Sequence, residues 1–178
     1  MNMSTHKTEM FRNLGLIGVL LLLLLLGRFE LTWQFFMQAA LVLAFLVISY
    51  VDWQTQKIPN VLLLPLGALT LLLVLLQPGT AWMRLAGALF AFVPFALTSI
   101  VHPHQLGGGD IKLVTLLGLL FGFPNIVWVL LIAVLGGGAV AVTMLLTKRG
   151  TAKTELPYAP FLCFGSLIVL LVLPFYPI

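Results

Sequence analysis

Asp52 and Asp110 are the only aspartates among the 178 residues, and each stands at the edge of a long apolar run. Two carboxylates brought face to face support a specific chemistry. Like charges a few ångströms apart do not both ionise easily, so one keeps its proton. The ionised group can take a proton from a trapped water, which attacks a carbonyl carbon. The protonated group donates to the carbonyl oxygen as the tetrahedral centre forms. This is peptide-bond hydrolysis without a metal, a cofactor or a covalent intermediate. Taken singly, either aspartate also reads as an interfacial loop residue with its charge in water. Taken together, in a chain this apolar, they point to function, because an acid at membrane depth costs about 2.5 kcal/mol or more.

No rival nucleophile or metal site stands out. There is no GxSxG, and the single cysteine, Cys163, lies inside an apolar run with no CxxC pair to hold zinc. His102 and His104 flank Pro103 but have no third ligand nearby except Asp110, and they read as solvated interfacial side chains.

Three short polar segments surround these positions. In DWQTQKIPN, residues 52–60, Pro59 stops any helix arriving through Asp52, and Asn60 is an expected N-cap for the next one. In LGGGDIKL, residues 106–113, the glycines Gly107, Gly108 and Gly109 allow positive φ or close backbone approach. Asp110 then falls at a helix start, where free N–H groups favour negative charge, and Lys112 follows on the same loop. In GTAKTELPYAPFLCFG, residues 150–165, Pro157 and Pro160 are expected to interrupt the start of the last helix. Backbone exposed there could pair with an extended substrate, which makes both prolines candidate substrate-binding residues. The alternative, that they only end a basic loop, stands equally.

The elements that must position these residues are membrane helices. Hydrophobic residues are 61% of the chain and charged residues 8%, with a mean hydropathy of +1.15, against about 25% charged in soluble domains. Nine basic residues scattered over several loops make no nucleic-acid patch. Apolar segments at 13–28, 33–51, 61–77, 84–101, 111–123, 125–146 and 160–176 predict an all-α polytopic bundle of seven transmembrane helices, with six as the fallback. The 111–123 segment is short, and Pro124 and Asn125 predict a tight turn after it. The leucine run after Arg12 lacks a small-x-small cleavage site, which favours a retained helix over a removed signal. Residues 1–12 are expected to form a short cytoplasmic tail and 13–178 a single transmembrane domain.

Lysines and arginines orient the bundle. With a cytoplasmic N-terminus, Lys7, Arg12, Lys57, Lys112, Lys148, Arg149 and Lys153 lie inside, and only Arg28 and Arg84 outside. Two antiparallel helices separate Asp52 from Asp110, so the carboxylates, 58 residues apart, can share one cytoplasmic depth.

In order, DWQTQKIPN, GGGDIKL and ELPYAPFLCFG resemble three blocks of the type IV prepilin leader peptidases, GxGD-type intramembrane aspartic proteases. The similarity runs from about residue 14 nearly to the end. It implies that Asp52 and Asp110 are the catalytic pair, acting at the cytoplasmic face of the cell's inner membrane. The implied substrates are type IV prepilins or pseudopilins, cut after a short basic leader. The third block has Tyr158 and Ala159 where the family's common form, IPFGPF, has Phe and Gly, a difference that bears on substrate fit. Longer bacterial members carry an N-terminal region with two CxxC pairs associated with N-methylation of the product. Here about a dozen residues precede the first helix, so the expectation is a peptidase-only form without N-methyltransferase activity. Two other classes remain: a proton-coupled carrier subunit using the aspartates as a relay, and an inactive pilus-assembly scaffold. A carrier would place its acids near the midplane and show inverted repeats; no internal repeat is visible.

Overall fold

The computed structural model describes residues 3–29, 33–101, 107–147 and 157–172. His102, His104, Leu106, Lys148, Arg149, Lys153, Glu155 and Leu156, all within the segments named above, lie outside the described residues. The rest is helical, as the apolar periodicity predicts. Seven α-helices appear in order: α1 Met3–Phe29, α2 Trp33–Thr55, α3 Asn60–Leu76, α4 Ala81–Val101, α5 Gly108–Phe121, α6 Asn125–Leu146 and α7 Ala159–Val172. A 3-10 turn, Pro78–Thr80, precedes α4. Among the described residues, three segments, Phe35–Thr55, Pro78–Val101 and Asn125–Leu146, are long and apolar enough to cross a membrane. At 14 residues each, α5 and α7 reach only about 21 Å, short of a hydrocarbon core of about 30 Å. Leucines, valines and phenylalanines such as Leu64, Leu85, Phe92 and Leu135 are exposed on the outer faces. In a chain of this composition those faces meet lipid, and the protein is an integral membrane protein.

Some boundaries differ from expectation for physical reasons. Helix α1 begins ten residues before its apolar run, because the polar stretch from Met3 continues the same helix. Helix α2 continues to Thr55, so Asp52 sits in its last turn. Gln56 ends it with φ 51°, its N–H donating to the Asp52 carbonyl at 2.8 Å. Pro59, not Asn60, is the N-cap of α3, and it makes no side-chain cap hydrogen bond. After α5, Gly122 at φ 67° and a cis Phe123–Pro124 peptide make the tight turn into α6.

Two close packings organise the bundle. Helices α4 and α5 form an antiparallel hairpin in which Gly87 and Gly118 lie backbone to backbone; a Cβ on either would collide with main-chain atoms of the other helix. At the far end of the hairpin, the Phe123 N–H donates to the Met83 carbonyl at 2.9 Å. Helix α7 packs on α2 and α6, with the Phe161 ring against Gly136 and Gly137 and Gly165 against the Val129 carbonyl. Gly136 and Gly137 of the triple glycine at 136–138 therefore serve helix packing, while Gly138 faces open space. Between these bodies lies a core built around Phe45, Leu66, Leu117, Leu120 and Leu162.

Arg84, expected in an outer loop, is buried in the first turn of α4. Its Nε donates to Thr80 Oγ1 at 3.1 Å, Nη1 to the Leu120 carbonyl at 2.8 Å and Nη2 to Gln77 Oε1 at 2.6 Å. The cation sits at the C-terminal end of α5, where the helix dipole favours it. It clamps the start of α4 to the end of α5.

Candidate active site

The C-terminus of α2 and the N-termini of α3, α5 and α7 meet at one end of the bundle. Asp52 is 3% exposed. Its Oδ2 accepts the Ala159 N–H at 3.2 Å, so the free amide end of α7 is aimed at this carboxylate. Pro160 follows within the first turn, where a missing N–H costs no hydrogen bond. It opens the helix and does not interrupt it, a correction to the expected break. The Ala159 amide is thereby committed to Asp52 and is not available to a substrate strand. Pro157 is half-buried just before this turn.

Asp110 is the third residue of α5. Its backbone N–H donates to the Gly107 carbonyl at 3.0 Å, and the Gly107 backbone hydrogen-bonds in return to its carboxylate. The return bond that the N-cap amide donates to the third residue's carboxylate is one half of a capping box. Asp110 Oδ1 is shielded from solvent and has no hydrogen-bond partner among the described residues. The Asp52 charge reaches Asp110, and both charges reach the fully buried Cys163. The two aspartates, far apart in sequence, thus lie at the same end of the bundle, within reach of each other's charge.

The glycines before Asp110 use only one of their two expected freedoms. Gly107 has an ordinary φ of −70°, and Gly108 and Gly109 are helical. Close approach decides Gly109: a Cβ there would lie 2.9 Å from the Ile58 Cβ and 3.2 Å from the Ile58 carbonyl oxygen. The chain that comes close is the protein's own turn after Asp52. Lys112, exposed on the next turn, donates from Nζ to Asn60 Oδ1 at 2.9 Å. That bond takes the Asn60 side chain away from capping α3 and ties the turn after Asp52 to the helix of Asp110.

Two contributors were singled out in the sequence only as departures from the third block, not for the contacts they make here. Ala159 supplies the amide to Asp52; the signal was the proline at the second helical position, which marks a helix start with open N–H groups. Tyr158 is half-buried, its ring centroid 5.6 Å from that of Phe95. Burial and the Asp110 charge push its phenol above the ordinary tyrosine value, so it remains a protonated donor. Among the described residues, no group of three or more His, Cys, Asp or Glu side chains clusters as a metal site would.

Residues 39–142 match the model of the type IV leader peptidase family. Among curated relatives, a Bacillus subtilis prepilin leader peptidase/N-methyltransferase is 26% identical over 145 residues, covering 81% of this chain and 58% of its own. An Escherichia coli protein of the same name is 33% identical over 129 residues, covering 69% of this chain and 57% of its own. A Pseudomonas aeruginosa counterpart is 31% identical over 155 residues, covering 81% and 52%. The chain therefore spans little more than half the length of these relatives. No solved structure matches it.

Proposed function

The chain belongs to the type IV leader peptidase family, and on that premise we propose that Asp52 and Asp110 cleave prepilin-like substrates as an aspartic dyad. The observation that carries this reading is the meeting of the only two aspartates at one end of the bundle, with Asp110 Oδ1 shielded and without a hydrogen-bond partner among the described residues. An orphaned, buried carboxylate oxygen is costly unless something binds it, and an attacking water supplies the missing hydrogen bonds. The ionised member of the pair takes one proton from that water as its oxygen bonds to the scissile carbonyl carbon. The other member gives its proton to the carbonyl oxygen. Collapse of the tetrahedral intermediate breaks the C–N bond, and the proton gained from water passes to the departing amine. A hydroxyl of the intermediate returns its proton to the carboxylate that had given one, restoring the pair. Ala159 orients Asp52 and Gly107 orients Asp110, so neither carboxylate must reorganise when substrate arrives.

The leader is short and basic, and the cut falls at the cytoplasmic face of the inner membrane. Support for that side comes from Lys57 and Lys112, both exposed at the dyad end, as the positive-inside bias requires. The N-terminus is then cytoplasmic and the chain crosses the membrane several times. The substrates are type IV prepilins or pseudopilins.

The test is cleavage of a purified prepilin-like protein by the reconstituted enzyme in the presence of EDTA. Wild type is expected to release the leader, whereas Asp52→Asn, Asp110→Asn and the double variant all release none. Equal failure of singles and double is the mark of groups acting on one water. Substantial cleavage by either single variant, or loss of activity in EDTA that zinc restores, overturns the assignment.

A further inference from the structure

An open groove runs along the outer side of α3 and α5, beginning at Ile111 and Lys112, the two residues that follow Asp110. It encloses about 820 Å³, with Phe92 of α4 closing one wall. Its mouth is the Lys112–Asn60 hydrogen bond, and Ile111, the neighbour of Asp110, borders it. From Asn60 it follows α3 as far as Leu71, about 16 Å at the helical rise. Leu64, Leu71 and Leu116 line it, with Gly67 and Ala68 between them. The one polar side chain beyond the mouth, Thr115, is turned to the Ile111 carbonyl at 2.7 Å.

We infer that this groove seats the apolar segment of the substrate on the C-terminal side of the scissile bond; the inference rests on the peptidase reading above. Continuity with the dyad is the first argument. Ile111 and Lys112 directly follow Asp110, so a chain held at the carboxylate reaches the groove within one helical turn. Shape is the second: three turns of apolar wall with small residues at Gly67 and Ala68 let a helical backbone approach closely, as small residues do between membrane helices. Charge is the third. The Lys112 ammonium at the mouth repels a basic leader and admits an uncharged segment, so the groove sets which side of the cut lies where. A phospholipid chain is the competing occupant.

Cys163 is the only cysteine and is buried, so an introduced thiol becomes the single accessible one. In the full-length Asp110→Asn protein, which holds substrate uncut, Ala68→Cys is expected to crosslink to cysteines placed in the first turns of the substrate's apolar segment. Ala139→Cys, on the exposed face of α6, is expected not to. In the otherwise unaltered enzyme, Ala68→Trp fills the groove. The KM for full-length substrate, divided by that for a peptide ending a few residues past the cut, is expected to rise about tenfold. If wild type cleaves but the crosslink is absent and the KM ratio unchanged, the groove assignment falls and the dyad stands. The groove assignment falls likewise if a photoactivatable phospholipid labels position 68 and excess substrate does not displace it. If wild type cleaves nothing, the dyad reading fails first and the groove with it.

Discussion

The two ends of α5 each enclose an ionisable side chain, and they treat it differently. At the C-terminal end, the guanidinium of Arg84 uses all three nitrogens on neutral acceptors from Thr80, Gln77 and Leu120. At the N-terminal end, about 15 Å away along the helix, Asp110 has one oxygen bonded to Gly107 and the other shielded, with no partner among the described residues. A fully bonded buried ion holds structure together. An incompletely bonded one leaves capacity for something that arrives later. The same short helix thus carries a fastening at one end and an unused acceptor at the other.

The comparison can be broken most forcefully at the dyad. Asp110→Asn is expected to abolish cleavage while the protein melts at or above the wild-type temperature, because a buried charge with an unmet acceptor is neutralised. A melting temperature several degrees below wild type would make Asp110 a structural residue like Arg84. The converse holds for Arg84→Met, which strands the Leu120 carbonyl and Gln77. A loss of about 2–4 kcal/mol is expected in detergent unfolding, with kcat of the folded fraction close to wild type.

Smaller effects sharpen the contrast. Gly109→Ala forces the Ile58 turn away from α5 and shifts one carboxylate relative to the other. A fall in kcat of about tenfold to a hundredfold is expected, with less change in melting temperature than Arg84→Met produces. Asn60→Ala removes the acceptor of the exposed Lys112 bond, and a two- to fivefold loss in kcat/KM is about what one hydrogen bond at the surface yields. If Asn60→Ala outweighs Gly109→Ala, the tie to Lys112, not the close approach of Ile58, sets the spacing of the dyad.

The seven helical runs were legible because apolar stretches of this length permit little else, and α6 matches its expected span of 125–146 residue for residue. Both aspartates were legible as candidates because acids are rare in such a chain. What stayed hidden depends on contacts between distant segments. Asn60 reads as a cap until Lys112, 52 residues later, takes its side chain. Arg84 reads as a loop charge until Gln77 and Leu120 enclose it. The glycines of the GGGD loop look like turn residues, yet Gly109 is constrained by Ile58 and the other two bear no such contact with it. Local propensity speaks to neighbours along the chain and cannot register a collision across a turn. The groove on α3 and α5 was invisible for the same reason: each wall alone is an ordinary apolar helix face.

The meeting of Gly87 and Gly118 has a mechanical consequence for the dyad. Gly118 lies eight residues past Asp110, about 12 Å along α5, so the crossing acts as the pivot of a short beam with the carboxylate at its tip. Peptide atoms make that bearing on both sides, with no rotamer to slip and no side chain to compress. Any thickening of the bearing is magnified at the tip, as a shim under one end of a balance moves the far pan. The carboxylate's position is therefore referenced to the stiffest material in the protein, and its tolerance is set half a helix away from the water proposed to bind it.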